Sequence, residues 1–141
     1  IETSIGLDRM FLAILSNSLK EETLEDGSSR TVLTLPAALA PTKAVIMPLT
    51  KKDGLPEKAM EVMNELKYDF NCQYDEKDSP GKRYRRQDAL GTPYCIMIDH
   101  QTLEDNTVTI RDRDTMKQDR VSITELNAII AEKVSFKTLL K

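Results

Sequence analysis

The chain has 141 residues, 40% of them hydrophobic and 30% charged, which suits one ordinary soluble domain with a core of its own. Two cysteines are too few for a disulfide framework, no apolar run approaches the ~18 residues of a membrane helix, and no basic stretch followed by an apolar one marks a secretory signal. The net charge of −3, from 20 basic and 23 acidic residues, exerts no overall pull on nucleic acid or acidic membranes, and the default compartment is the cytosol, with free thiols.

The sequence opens on Ile1 rather than methionine and reads from its first residues like the interior of something longer, so a fragment is expected. Leu7, Met10, Phe11, Ile14 and Leu15 recur at i, i+3, i+4, i+7 and i+8, one face of an amphipathic helix predicted to run to about residue 19. Residues 20–30 (KEETLEDGSSR) break every periodicity and are expected to form a surface loop. Residues 31–35 alternate enough for a short strand, and Pro36 and Pro41 stiffen a connector at which the domain boundary is placed. Residues 44–49 form an almost continuous apolar run, the pattern of a strand buried on both faces. After a turn at 51–54, Pro56 suits a first helical turn, and Ala59, Val62, Met63, Leu66 and Phe70 follow at helical spacing.

A second strand is predicted over 71–75. The next segment, 79–90, lies between Pro80-Gly81 and Gly91 with Pro93, which are helix start and stop signals. It holds Lys82, Arg83, Arg85 and Arg86, four positive charges in five positions; removing them from the net −3 leaves −7 on the other 136 residues. Residues 94–98 are another apolar strand, 107–111 alternate, and 120–121 can return antiparallel to them. Ser122 and Glu125 form an S-x-x-E capping box before Ile123, Leu126, Ile130 and Val134, so a helix closes the chain. The order implies an α/β fold whose mixed, roughly five-stranded sheet carries about three helices, preceded by the N-terminal helix.

Several strings carry a resemblance. Residues 2–9 (ETSIGLDR) resemble the third signature motif of class II aminoacyl-tRNA synthetases, in the form found in dimeric glycyl-tRNA synthetases. Leu39-Ala40-Pro41, residues 48–56 (PLTKKDGLP), residues 81–88 (GKRYRRQD), Gly91-Thr92-Pro93 and residues 107–116 (TVTIRDRDTM) resemble the same family in the same order. The resemblance implies the carboxy-terminal part of such an enzyme: 1–20 as the end of the catalytic domain, 21–41 as linker and 42–141 as anticodon-binding domain. It implies a cytoplasmic, homodimeric ligase that joins glycine to ATP, with Mg2+, and passes it to glycine tRNA. The piece alone, with one of three class II motifs, is expected to be inactive and to hold no cofactor.

A helix start offers backbone donors and positive dipole to anions, and arginine offers a planar charged fork. The resemblance accordingly implies ATP contact at Gly6, Leu7, Asp8 and Arg9, and glycine contact at Glu2 and Ser4. Thr3 and Ile5 stand where the family more usually has proline and alanine. For the basic segment two readings remain: Lys82, Arg83 and Arg86 meet tRNA phosphates, or they form a solvated face paired with Asp75, Glu76 and Asp78. Tyr84 is expected to pack inward. Residues 111–120, rich in both charges, form either a cross-strand ladder or a base-reading surface using Arg111, Arg113 and Gln118. Cys72 and Cys95 are expected as buried free thiols, His100 as an exposed turn histidine, the methionines as core residues, and no metal ligand set is expected. The alternative function is a non-catalytic nucleic-acid-binding accessory module on the same fold; intact Glu2, Ser4 and Arg9 favour the enzyme.

Overall fold

A computed structural model describes residues 3–140. Helix α1 (Leu7–Ser18) runs directly into an antiparallel hairpin of β1 (Leu19–Thr23) and β2 (Ser29–Leu33). The main body follows as β3 (Ala44–Pro48), α2 (Leu55–Leu66), β4 (Cys72–Tyr74), α3 (Pro80–Leu90), β5 (Tyr94–Ile98), α4 (His100–Asp105), β6 (Thr107–Asp112), β7 (Gln118–Ser122), α5 (Ile123–Val134) and α6 (Phe136–Leu139). Its five strands lie in the order β4-β3-β5-β6-β7. β3 is parallel to β4 and β5, whereas β6 and β7 are added antiparallel.

The two apolar runs become the central strands because both their faces are covered. On one face Ala44, Ile46, Tyr94, Ile96, Ile98, Val108 and Ile110 pack under α2, through Leu55, Ala59, Val62 and Leu66, and under α5, through Leu126 and Ile130. On the other, Val45, Met47, Cys95 and Met97 meet Tyr84 of α3. Side-chain alternation on β6 and β7 sends Thr109, Arg111, Gln118 and Arg120 to the α3 side, and the register sets Thr109 opposite Arg120 and Arg111 opposite Gln118.

Some sequence expectations are corrected. Residues 20–30 form most of a hairpin rather than a loop; β1 (LKEET) is exposed along nearly its whole length, so backbone pairing builds it without the apolar alternation by which strands are read. A strand ending at Ser4, which the resemblance of the opening motif would place before the helix, is absent from residues 3–6. Helix α4, six residues long, is too short to show a period, although its Asp99 and Thr102 exchange a reciprocal capping box. At α5, Ser122 caps Thr124 N–H, without the predicted reciprocal bond to Glu125. Met47 and Met97 are core residues, whereas Met10, Met60 and Met116 are exposed. No described helix is long and apolar enough to cross a membrane.

Candidate nucleic-acid interface

The residues of the opening motif sit at the open end of α1. Gly6 is its N-cap, with no side-chain capping bond, and Leu7, Asp8 and Arg9 form the first turn. All four, with Ser4, are exposed. Glu2 lies outside the described residues.

The basic segment folds as α3, and its arginines meet three different fates. Arg83 is 3% exposed; its Nε donates to the Asp78 carbonyl at 2.9 Å and its Nη1 to the Pro48 carbonyl. Arg86 grips the 75–78 loop, with Nη2 donating to both Asp75 carboxylate oxygens at 2.8 and 3.0 Å and Nη1 to Asp78 at 3.0 Å. Burial works against ionisation of Asp75, yet the Arg86 hydrogen bonds hold its carboxyl below the ordinary value. Arg85 reaches across to the hairpin, donating to Ser28 Oγ and the Ser29 carbonyl at 3.3 Å each. Lys82 alone of the four is exposed without a salt bridge among the described residues.

The β6–β7 arginines divide in the same manner. Arg111 lies in the interior, its Nη1 and Nη2 donating to Asp88 at 2.8 and 3.1 Å, with its guanidinium 4.8 Å from the Tyr84 ring centre. This accounts for the inward packing of Tyr84. Arg113 is 1% exposed and donates to the Gly91 and Leu35 carbonyls at 2.8 and 2.7 Å, and through Nε to Asp114 at 2.8 Å. Arg30 of β2 completes the cluster, with Glu22 at 2.6 Å, Asp88 at 3.1 Å and the Arg113 carbonyl at 3.0 Å. Every described buried side-chain nitrogen or oxygen has a hydrogen-bond partner, so the donors of these internal guanidiniums are satisfied.

Three of the six side chains expected to touch tRNA, Arg83, Arg111 and Arg113, are therefore turned inward. Their charge is consumed by backbone carbonyls and Asp88, and what they build is the fold. Lys82, Arg86 and Gln118 are at or near the surface. Sequence reading misses Arg120, whose exposed guanidinium bridges Asp99 (Nη2 to Oδ1, 2.9 Å) and Thr107 (Nε to Oγ1, 2.6 Å) on the open part of the α3-side face. Side-chain alternation counted along a β6–β7 hairpin is the signal that could have found it. Arg30 is missed because residues 20–30 read as a loop.

Lys51 lies 3.6 Å from Glu76, and Lys82 follows in the first turn of α3, so basic groups gather beyond the carboxyl ends of β3 and β4. In α/β sheets ligands bind outside those ends where neighbouring crossovers leave in opposite directions. β3 meets this condition, with β4 on one side and β5 on the other, and α2 and α3 on opposite faces.

The remaining candidates are quiet. Burial pushes the Cys72 thiol up to about 11 and that of Cys95 up to about 12, leaving both protonated and poorly nucleophilic; Cys95 is buried and Cys72 half-buried. His100 is exposed at the start of α4, 3.0 Å from Asp53. Among the described residues no three His, Cys, Asp or Glu side chains converge on a metal-binding point.

The family model described as "Anticodon binding domain" matches residues 43–133. The chain belongs to that family. It is similar to proteins named glycine--tRNA ligase, 59% identical to that of Clostridium tetani, 56% to that of Clostridium kluyveri and 54% to that of Macrococcus caseolyticus. Each similarity runs over 136 residues and covers 96% of this chain but 29% of the relative, so the chain spans less than a third of their length. Among solved structures, the RNA binding domain of threonyl-tRNA synthetase from Cryptosporidium parvum superposes with a TM-score of 0.65 at 25% identity, over 71% of this chain and 25% of that one. The mixed α/β sheet expected from the sequence is thus the fold of a family of anticodon-binding domains.

Proposed function

We propose that this chain is the anticodon-reading part of a glycine--tRNA ligase, with the end of the catalytic domain at its N-terminal helix. The observation that carries the reading is identity of 52–59% to enzymes of that name across almost the whole chain. In the whole enzyme glycine and ATP form glycyl-adenylate with release of pyrophosphate, and glycine then passes to a terminal ribose hydroxyl of its tRNA with release of AMP, in a cytoplasmic homodimer. The divisions at residues 20 and 41 belong to the same proposal.

The chain's own part in that reaction follows from its geometry. The uncapped, exposed N-terminus of α1 suits the phosphates of ATP, and Arg9 in its first turn adds a fixed positive charge; magnesium would arrive with the nucleotide. Ser4 is exposed just ahead of that turn and would hydrogen-bond glycine, whose ammonium group the Glu2 carboxylate would hold. For tRNA, Lys82 and Arg86 remain as contacts, joined by Lys51 and Arg120, around the carboxyl ends of β3 and β5, and Gln118 remains on the same face toward the amino end of β5, in register with Arg111 and Cys95. Lysines there neutralise phosphates, whereas arginine and glutamine stack on unpaired bases or bond their edges. Asp75 and Asp99 hold Arg86 and Arg120 in place beforehand, which lowers the ordering cost of binding.

The reading is tested on the full-length protein by ATP–pyrophosphate exchange driven by each amino acid in turn. Exchange with glycine alone, followed by charging of glycine tRNA, is expected; absence of glycine-dependent exchange would overturn it. For the tRNA surface, Lys51→Glu with Lys82→Glu is expected to weaken tRNA binding and lower the slope of log affinity against log salt by about 1 for each phosphate no longer neutralised. An unchanged slope removes these lysines from the interface.

A further inference from the structure

α1 and the hairpin form one mechanical piece. No loop intervenes between Ser18 and Leu19, the Leu19 N–H still bonds the Leu15 carbonyl, and both the N–H and the hydroxyl of Thr34 close on the Ser18 carbonyl at 2.7 and 2.9 Å. That piece is fastened to α3 and its C-terminal turn. Arg30 joins Asp88 and the Arg113 carbonyl, Arg113 returns to the Leu35 carbonyl, and Gly91, at φ 81°, lies so close that a Cβ there would be 3.1 Å from Leu33 Cδ2. The opposite end of α3 grips the sheet: Arg83 holds the carbonyls of Pro48 and Asp78, and Arg86 holds Asp75 and Asp78. One helix therefore ties the α1 unit at one end to the loops beyond the sheet at the other.

We infer that Arg30 and Asp88 are positioning residues, which fix α1, with Arg9 in its first turn, at a set angle to the tRNA-contacting loops, on the basis of the ligase reading above. A buried three-way contact between two guanidiniums and one carboxylate suits this purpose, since its directional bonds permit one arrangement where an apolar contact would permit several. Energy gained at the anticodon can then be used to deliver the acceptor end to the reacting centre. Arg30 touches neither ATP nor tRNA in this assignment. Its effect is felt through the angle it sets, and so on the transfer step.

The test uses the full-length protein with Arg30→Lys and Arg30→Gln, which alter or remove the Arg30–Asp88 link while leaving the Arg85 bonds to Ser28 and Ser29 and the Asp88–Arg111 pair that belongs to the sheet body. Three quantities are measured: kcat for charging, KM for tRNA, and glycine-dependent ATP–pyrophosphate exchange without tRNA. The expected result is a fall of fivefold or more in charging kcat for Arg30→Gln, with partial rescue in Arg30→Lys and with tRNA KM and exchange each within twofold. Unchanged charging overturns the assignment. So does a parallel fall in charging and exchange, which marks general loss of folded enzyme, and so does a change in tRNA KM alone, which marks direct contact. A parent enzyme lacking glycine-dependent exchange would instead remove the ligase reading itself.

Discussion

Asp88 is the residue on which the folded state is most exposed to a single change. It is 0% exposed and accepts three hydrogen bonds, at 2.8 and 3.1 Å from Arg111 and at 3.1 Å from Arg30. Asp88→Asn keeps the shape but removes the charge, and turns an amide NH2 toward guanidinium donors. Two buried cations then lose their shared anion, a loss that costs about 3–5 kcal/mol where one partner of a buried pair is removed. At ~2.1 cal/mol/K of unfolding entropy per residue, the 141 residues give about 3 °C of melting temperature per kcal/mol, so a fall of roughly 10–17 °C is expected. Differential scanning calorimetry of the parent and variant chains at pH 7 reads it directly. A fall below about 3 °C, the equivalent of ~1 kcal/mol, would mean that Arg30 and Arg111 find equal partners elsewhere, and that the charge cluster is not closed around Asp88. Asp78→Asn, at an exposed site paired only with Arg86, is the control and should change stability by less than ~1 kcal/mol.

Arg120 hydrogen bonds, against some burial, hold the Asp99 carboxyl below its ordinary 3.8; a depressed folded value means that its contribution is full above that range and is lost as pH falls through the folded value. Asp99→Asn should therefore reduce stability by ~1 kcal/mol at pH 7, through loss of the charged partner of Arg120, since asparagine caps α4 as well as aspartate does, and the parent–variant gap should close as acid titrations followed by circular dichroism pass below the ordinary carboxylate range. Gly91→Ala is expected to destabilise by about 1–3 kcal/mol, because it forces a left-handed backbone on alanine and presses Leu33 outward; equal urea midpoints would refute this. With the thiols pushed up to about 11 and 12, neither cysteine of the native chain should react appreciably with a disulfide reagent at mildly alkaline pH, whereas both should react in urea. Rapid native labelling of Cys95 would contradict its burial.

Much of the sheet body is legible in one dimension. The unbroken apolar runs at 44–49 and 94–98 have only one stable use, as strands covered on both faces, and the helical spacing through Ala59, Val62 and Leu66 supplies one of the covers. Proline and glycine around 79–91 bound α3 closely, since Pro80 fits the first helical turn and Gly91 supplies the left-handed cap. Of the hairpin only β2 is legible, as the short strand expected over 31–35, whereas β1 is invisible because it is exposed and highly charged; the inward face of β2 is built by Arg30 and Val32. α4 is too short to show a period.

The fate of the arginines was decided by tertiary structure alone. In the sequence, residues 82–86 read as a single basic cluster, because formal charge is a property of residue type. In space Arg83 enters the protein to satisfy two carbonyls, Arg85 fastens the hairpin, Arg86 is held by two aspartates, and Lys82 stands exposed in the first turn, with no salt bridge among the described residues. Arg30, Arg111 and Arg113 lie 83 residues apart along the chain at their extremes and meet around the Asp88 carboxylate and the carbonyls of Leu35, Gly91 and Arg113. Local sequence determined where strands and helices form, through periodicity and turn chemistry. Which charges face nucleic acid and which hold the protein together depended on strand register and helix rotation, for these decide whether a guanidinium reaches a carboxylate or water.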